Sequence, residues 1–103
     1  MKLAHGATVD GCKRHILTAL IEQIEPVFLD RALELEIVRG FVREPREIGH
    51  SRGDAIDLSL EGETDIKGLK DSVYRALGPT YKVEFEVNCL HIEKLLIENG
   101  NIL

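Results

Sequence analysis

The chain lacks tryptophan, and aromatic residues make up only 5% of its 103 residues. Its core must therefore be built mainly from Leu, Ile and Val, which supply much of the 44% of residues that are hydrophobic. No apolar run is long enough to cross a bilayer, and the first residues contain no apolar segment of the secretory type. These absences argue against a membrane partner. We expect a soluble, cytoplasmic protein that forms a single domain over residues 1–103.

A concentrated basic surface is also missing. The net charge is -5 with neutral histidines, and lysines and arginines are interspersed with acidic residues along the chain. Binding to phosphate backbones requires clustered cations, so the charge pattern argues against nucleic acid as the main partner.

Cysteine is scarce, with Cys12 and Cys89 as its two occurrences. Because no export signal is visible, we expect two reduced thiols rather than a disulfide. Cys12 and His15 have a C-x-x-H spacing that metal ligands can use. They lie beside core positions of a predicted helix without a second pair, which favours packing and surface roles.

Two helices are predicted from the spacing of apolar residues. The first follows Asp10, and Pro26 should end or kink it, with a short second helical segment starting there. Its apolar stripe consists of Ile16, Leu17, Leu20, Ile21 and Ile24. The other helix should begin after Thr64 as N-cap and end at Gly78 and Pro79. Its apolar residues are Ile66, Leu69, Val73 and Leu77.

Four segments have the alternating pattern of strands: residues within 33–42, then 55–60, 81–86 and 90–93. Residues 43–54 contain one proline, two glycines and many charges, which is typical of a loop. Residues 87–89 should form a turn. The predicted order is α-β-β-α-β-β. Short connections favour a small antiparallel sheet with helices packed on one face, an α+β fold.

Strand alternation places two metal-ligating residues on the sheet face opposite the core. The alternate residues of strand 55–60 are apolar, which puts Asp57 on the other face. In the last strand the same argument places His91 and Glu93 there, over a shorter pattern that fails at Lys94. His50 lies in the loop just before the Asp57 strand. Two imidazoles and one carboxylate suffice for a catalytic Zn²⁺ with water as fourth ligand; the alternative is three separate surface residues.

Two sequence strings resemble the motifs of hedgehog-type zinc peptidases, which include D-Ala-D-Ala carboxypeptidases and phage L-alanyl-D-glutamate endolysins. The family core H-x-x-G-x-A-x-D is similar to His50-Ser51-Arg52-Gly53-Asp54-Ala55-Ile56-Asp57. Its closing H-x-H-[IV]-E strand is similar to Cys89-Leu90-His91-Ile92-Glu93.

The resemblance implies that His50, Asp57 and His91 bind Zn²⁺. It also implies a zinc-dependent metallopeptidase that hydrolyses amide bonds in peptidoglycan stem peptides. The minimal length and missing export signal suggest a phage or prophage protein that is released to the cell wall on host lysis.

The general base is left open by the resemblance. The family has an acidic residue three positions before the last histidine, where this chain has Asn88, and an amide cannot accept the proton. Glu86 is our first candidate for the base and Glu84 is also near; the alternative for Glu86 is a solvent-facing strand residue. If no base is present, the alternative function is a catalytically inactive binding or structural domain of the same fold.

Two further positions are compared with the family pattern. Members commonly use a cationic or polar side chain ahead of the first ligand to hold the substrate carboxylate or the oxyanion. Arg43 is our first candidate among Arg39, Arg43 and Arg46, although a solvated loop arginine is the alternative. Cys89 stands where many members have histidine. Alternate strand residues lie about 6.5–7 Å apart, too far for Cys89 and His91 to share one metal, so we expect Cys89 beside the site or buried.

Overall fold

Five strands form one mixed sheet in a computed structural model of the chain, which describes residues 1–98, 101 and 102. They are β1 (Lys2–Leu3), β2 (Glu36–Arg39), β3 (Ala55–Ser59), β4 (Tyr81–Glu86) and β5 (Cys89–Lys94). Their spatial order is β1-β2-β3-β5-β4. The strands β6 (Ile97–Glu98) and β7 (Asn101–Ile102) form a separate pair.

The sheet is mixed, whereas we predicted an antiparallel sheet. β1 pairs with β2 in parallel, whereas β2, β3, β5 and β4 are joined by antiparallel pairs. β1 contains two residues, so it has too few residues for an alternating pattern to reveal it. The coarser prediction of an α+β fold is confirmed.

The helices are α1 (Arg14–Ala19), α2 (Glu25–Asp30), α3 (Ile48–Ser51) and α4 (Ile66–Leu77). A π-helical turn over Leu20–Ile24 joins α1 to α2. This turn directly precedes the α2 turn that contains Pro26, whose missing N–H cannot close a regular α-helical hydrogen bond. The prediction that the first helix changes at Pro26 is therefore confirmed, in the form of a π-helical turn rather than a break.

α4 has a different N-cap from the one predicted. Asp65, not Thr64, immediately precedes the helix, and its carboxylate accepts a hydrogen bond of 3.0 Å from the backbone N–H of Gly68. At the other end Gly78 has φ 85 and its N–H donates to the Tyr74 carbonyl, as expected of a helix-ending glycine.

The strand predicted within 33–42 is shorter, and part of the predicted loop 43–54 is helical. β2 ends at Arg39 because Gly40 lies against the backbone of Thr8, whose carbonyl accepts from Phe41 N–H at 2.8 Å. The short helix α3 forms in the loop, where a proline and two glycines obscure any helical pattern.

One hydrophobic core lies between the sheet and the helical segments of residues 14–30 and 66–77. Its fully buried members include Ile16, Leu20, Ile24, Phe28, Ile56, Leu58, Leu69, Val73, Leu90 and Ile92. These helices cover one face of the sheet as predicted, and α3 lies over the opposite face. Within the described residues, none of the helices has the length and apolar character needed to span a membrane.

Candidate metal centre

Asp57 and His91 are direct cross-strand partners in the antiparallel pairing of β3 with β5. Directly opposed residues project from the same face of a sheet, and here it is the face that the core does not use. Both residues are only 6% exposed. The alternation argument for these two residues is therefore confirmed.

His50 is carried over this face by α3 and is only 5% exposed. Its Nδ1 lies 2.7 Å from the carbonyl oxygen of Gly40. A carbonyl can only accept, so Nδ1–H donates to it, and Nε2 is left to face the site. His50 Nε2 then lies 3.3 Å from Oδ2 of Asp57.

The α3 backbone explains why glycine stands at position 53. Gly53 has φ +79, and a Cβ there would lie 2.3 Å from the carbonyl oxygen of Gly11. Its N–H donates to the carbonyl of His50, and its own carbonyl accepts from Lys13 N–H at 2.9 Å. A left-handed residue without a side chain thus lets α3 close against the N-terminal segment and holds His50 above β3.

The two oxygens of Asp57 contact different histidines. Oδ1 lies 2.6 Å from Nδ1 of His91, and Oδ2 faces His50. On the far side of its ring, His91 Nε2 lies 2.9 Å from Oε1 of Glu93. Each imidazole therefore directs one nitrogen to Asp57. The other nitrogen donates a hydrogen bond to a protein oxygen, the Gly40 carbonyl for His50 and Glu93 for His91.

The charges in this cluster are strongly coupled. Burial alone would raise the pKa of Asp57, but hydrogen bonds from both histidines outweigh it and lower that pKa to about 2. Burial opposes a proton on His91, yet its bonds to Asp57 and Glu93 raise the His91 pKa to about 9. The pKa of His50 is also raised, because Asp57 and the Gly40 carbonyl overcome the effect of burial. An incoming cation would replace protons at these nitrogens.

His50, Asp57 and His91 together could hold a metal ion. Their ligand atoms all lie within 4.8 Å of one another. Ligand atoms around a tetrahedral zinc are about 3.3 Å apart, close to the spacing of His50 Nε2 and the nearer Asp57 oxygen. The donor types, the burial and the fixed ring orientations therefore fit a bound metal ion.

Glu86 lies at the edge of this cluster. Its Oε1 is 3.7 Å from Nδ1 of His91, and its side chain is 49% exposed. Glu84 is the cross-strand partner of His91 on β4 and is also exposed. Asn88 lies in the turn between β4 and β5 with φ 62, a left-handed conformation that asparagine tolerates better than most residues. Asparagine at this position thus has a conformational explanation.

The three candidate arginines occupy different places. Arg43 is exposed and its guanidinium lies 6.0 Å from the centroid of the Phe41 ring. Arg39 is paired in register with Asp57 and forms an ion pair with Glu47. Arg46 contacts Glu44 at 3.3 Å. Within the part of the chain that the structure describes, no hydrogen bond or ion pair joins Arg43 to His50, Asp57 or His91.

Cys89 lies outside the group of converging ligand atoms among the described residues. Burial, together with the negative charges of Asp57 and Glu86, raises the pKa of its thiol to about 11. A thiol held protonated is a poor metal ligand. Cys12 and Cys89 are both free, as expected.

Sequence reasoning assigned no role to Glu93, Arg52 or the Gly40 carbonyl, which support the two histidines. The sequence did indicate that Glu93 lies near the site, since Glu93 and His91 are alternate residues of one strand and share a sheet face. The Gly40 carbonyl had none, because a backbone acceptor leaves no mark in the side-chain pattern.

Comparison with known proteins finds no match for this chain among protein-family models, curated proteins or solved structures.

Proposed function

We propose that the chain is a zinc-dependent metallopeptidase of the hedgehog and DD-peptidase type, derived from a phage or prophage. Its substrates are the amide bonds of bacterial peptidoglycan stem peptides. The observation that carries this proposal is the buried convergence of His50 Nε2, Asp57 and His91 Nδ1, with the Glu86 carboxylate beside it. The two motif strings around these residues support the choice of family.

Zinc is the metal that suits these donors best. Two neutral imidazoles and one carboxylate form a typical catalytic zinc set, whereas Ca²⁺ and Mg²⁺ prefer sites made of oxygen atoms. When bound there, zinc would polarise the scissile carbonyl and lower the pKa of the attacking water.

Glu86 is the proposed general base. Its oxygen lies 3.7 Å from the imidazole of His91, and its half-exposed side chain is accessible to water and substrate. It would take a proton from the attacking water and give it to the leaving amine as the C–N bond breaks. Arg43, exposed on the segment before His50, is the proposed contact for a substrate carboxylate.

Metal analysis and cleavage of a stem peptide test the proposal. We expect about one zinc per chain, lost in His91→Ala, and hydrolysis that a chelator abolishes. Glu86→Gln should reduce the rate about 100-fold or more while zinc stays bound, because general base catalysis contributes about that much. Glu22→Gln, which removes the same charge from an exposed helical position, is the control and should have no effect.

A second candidate function is a catalytically inactive metal-binding domain that serves assembly or binding. The observation in its favour is Asn88, which stands at the position where the family has its acid. Protein that is loaded with zinc, fails to cleave any stem peptide and is unaffected by Glu86→Gln would establish this alternative. Activity that appears only in Asn88→Asp would show that the base is missing.

A further inference from the structure

Behind His91, on the side away from Asp57, lies a second carboxylate. Glu93 Oε1 is 2.9 Å from His91 Nε2. The two residues are alternate members of β5, so they project from the same face of the sheet. The Glu93 side chain is only 20% exposed, so this contact is largely shielded from water.

Glu93 is itself held by a chain of charged groups. Its Oε2 lies 3.7 Å from Nη2 of Arg52, and Arg52 Nε lies 3.0 Å from Oδ2 of Asp54. The Asp54 side chain is 2% exposed and also contacts Lys13 Nζ at 3.2 Å and His15 Nε2 at 3.1 Å. The carboxylate behind His91 is thereby linked to the N-terminal helical segment.

The backbone next to His50 packs directly on Glu93. A Cβ at Gly49 would lie 2.4 Å from Glu93 Oε1, so the absence of a side chain at Gly49 makes room for the carboxylate. Glu93, which itself lies on β5, therefore contacts His91 of its own strand and Gly49 of α3.

From these contacts we propose that Glu93 is a positioning residue of the metal centre. It accepts the Nε2–H of His91 so that Nδ1 points at the metal, and Arg52 and Asp54 hold it in place. A carboxylate that accepts the second ring proton of a ligating histidine fixes its tautomer and increases its basicity. This inference rests on the metal site of the proposed function, but not on peptidase activity.

Zinc affinity, measured by competition with a chelating dye, tests the role of Glu93. Glu93→Ala should weaken zinc binding about 10- to 100-fold, the usual effect of losing such a partner. Glu93→Gln keeps an oxygen that accepts the Nε2–H, so it should recover most of this loss. Glu22→Gln is the control for charge and should bind zinc as the wild type does.

The ring nitrogens of His91, observed by NMR in the zinc-loaded protein, separate positioning from a general structural role. The wild type and Glu93→Gln should show one fixed Nε2–H tautomer, and Glu93→Ala should show a rapidly exchanging Nε2 proton. Arg52→Gln keeps the Glu93 carboxylate but removes the cation that holds it, and it should weaken zinc binding less than Glu93→Ala does, by about three- to tenfold. It provides the test if Glu93→Ala fails to fold.

Zinc affinity of Glu93→Ala within twofold of the wild type, with its Nε2 proton exchanging as slowly as in the wild type, would overturn the inference. Equal losses in Glu93→Ala and Glu93→Gln would also overturn it, because the hydrogen bond would not be the cause. If the wild type takes up no zinc at all, the metal site of the proposed function fails first, so the two failures are distinguishable.

Discussion

Replacing Gly53 with alanine should destabilise the protein more than the same change at Gly78 or Gly6. Gly53, Gly78 and Gly6 all have positive φ, at +79, +85 and +85. A Cβ at Gly53 would lie 2.3 Å from the Gly11 carbonyl, whereas Gly78 and Gly6 have nothing within 4 Å of the added atom. The three positions share the backbone strain, and Gly53 alone among them adds a clash between two backbone segments.

The size of the effect follows from these two contributions. Left-handed alanine costs about 1–2 kcal/mol at all three positions. Overpacking at Gly53 adds about 1–3 kcal/mol, because backbone rather than a flexible side chain must move. We expect Gly53→Ala to lose about 2–5 kcal/mol of unfolding free energy, and Gly78→Ala or Gly6→Ala about 1–2 kcal/mol.

Urea unfolding followed by circular dichroism, with a chelator present, measures these differences without any contribution from bound metal. Zinc affinity of the same variants should fall in Gly53→Ala alone, since Gly53 N–H donates to the His50 carbonyl. Equal free energies for Gly53→Ala and Gly78→Ala would refute the packing of α3 against Gly11 as the reason for this glycine.

Three other predictions concern charge, capping and the core. Asp57 has a pKa of about 2 against its ordinary 3.8, so the stability it contributes is present above pH 4 and lost as the pH falls toward 2. His91 has a pKa of about 9 against 6.5, so its contribution is complete below pH 6.5 and lost as the pH rises through 9. Metal-free protein should therefore be most stable between about pH 4 and 6.5, by about 2 kcal/mol relative to pH 2, and urea titrations should show a smaller loss of stability at low pH in Asp57→Asn than in the wild type. Asp65→Ala should cost about 1 kcal/mol and Thr64→Ala almost nothing in thermal unfolding, because the carboxylate of Asp65 caps α4. Leu58→Ala, at a fully buried position, should cost about 2–5 kcal/mol in the same assay, and a loss under 1 kcal/mol would contradict its place in the core.

Much of the sheet could be predicted from alternation. β4 has the predicted bounds, β3 ends one residue earlier than predicted, and β5 is one residue longer at each end, so that Cys89 lies in the strand rather than in the predicted turn. The alternating pattern of the last strand fails at Lys94, and the cross-strand partner of Lys94 explains why. This partner is Tyr81, and the Lys94 ammonium lies 4.8 Å from the centroid of its ring. A cation over an aromatic face can occupy a position where alternation expects an apolar residue.

The remaining elements depend on contacts that a local pattern does not contain. β1 exists because its two residues pair with β2, and β2 stops where Gly40 meets Thr8. α3 is a short helix held by Gly53 against the N-terminal segment. These are tertiary contacts between residues far apart in the chain, so propensity and periodicity give little indication of them.

The candidate site could be predicted in part. Alternation placed Asp57 and, over a shorter pattern, His91 on the face opposite the core, whereas His50 lies outside the predicted strands and was added through the resemblance, which also supplied the metal-binding role. The support from Glu93 and Arg52 depends on side-chain rotamers and on the packing of α3. The role of Glu86 as general base stays a prediction.

The two histidines of the candidate site lie 41 residues apart in the chain. In the folded structure they are brought together by the pairing of β5 with β3 and by the packing of α3, contacts that an unfolded chain lacks. A metal that binds only the finished structure stabilises the native state by mass action. We therefore expect bound zinc mainly to lower the unfolding rate and to change the folding rate little.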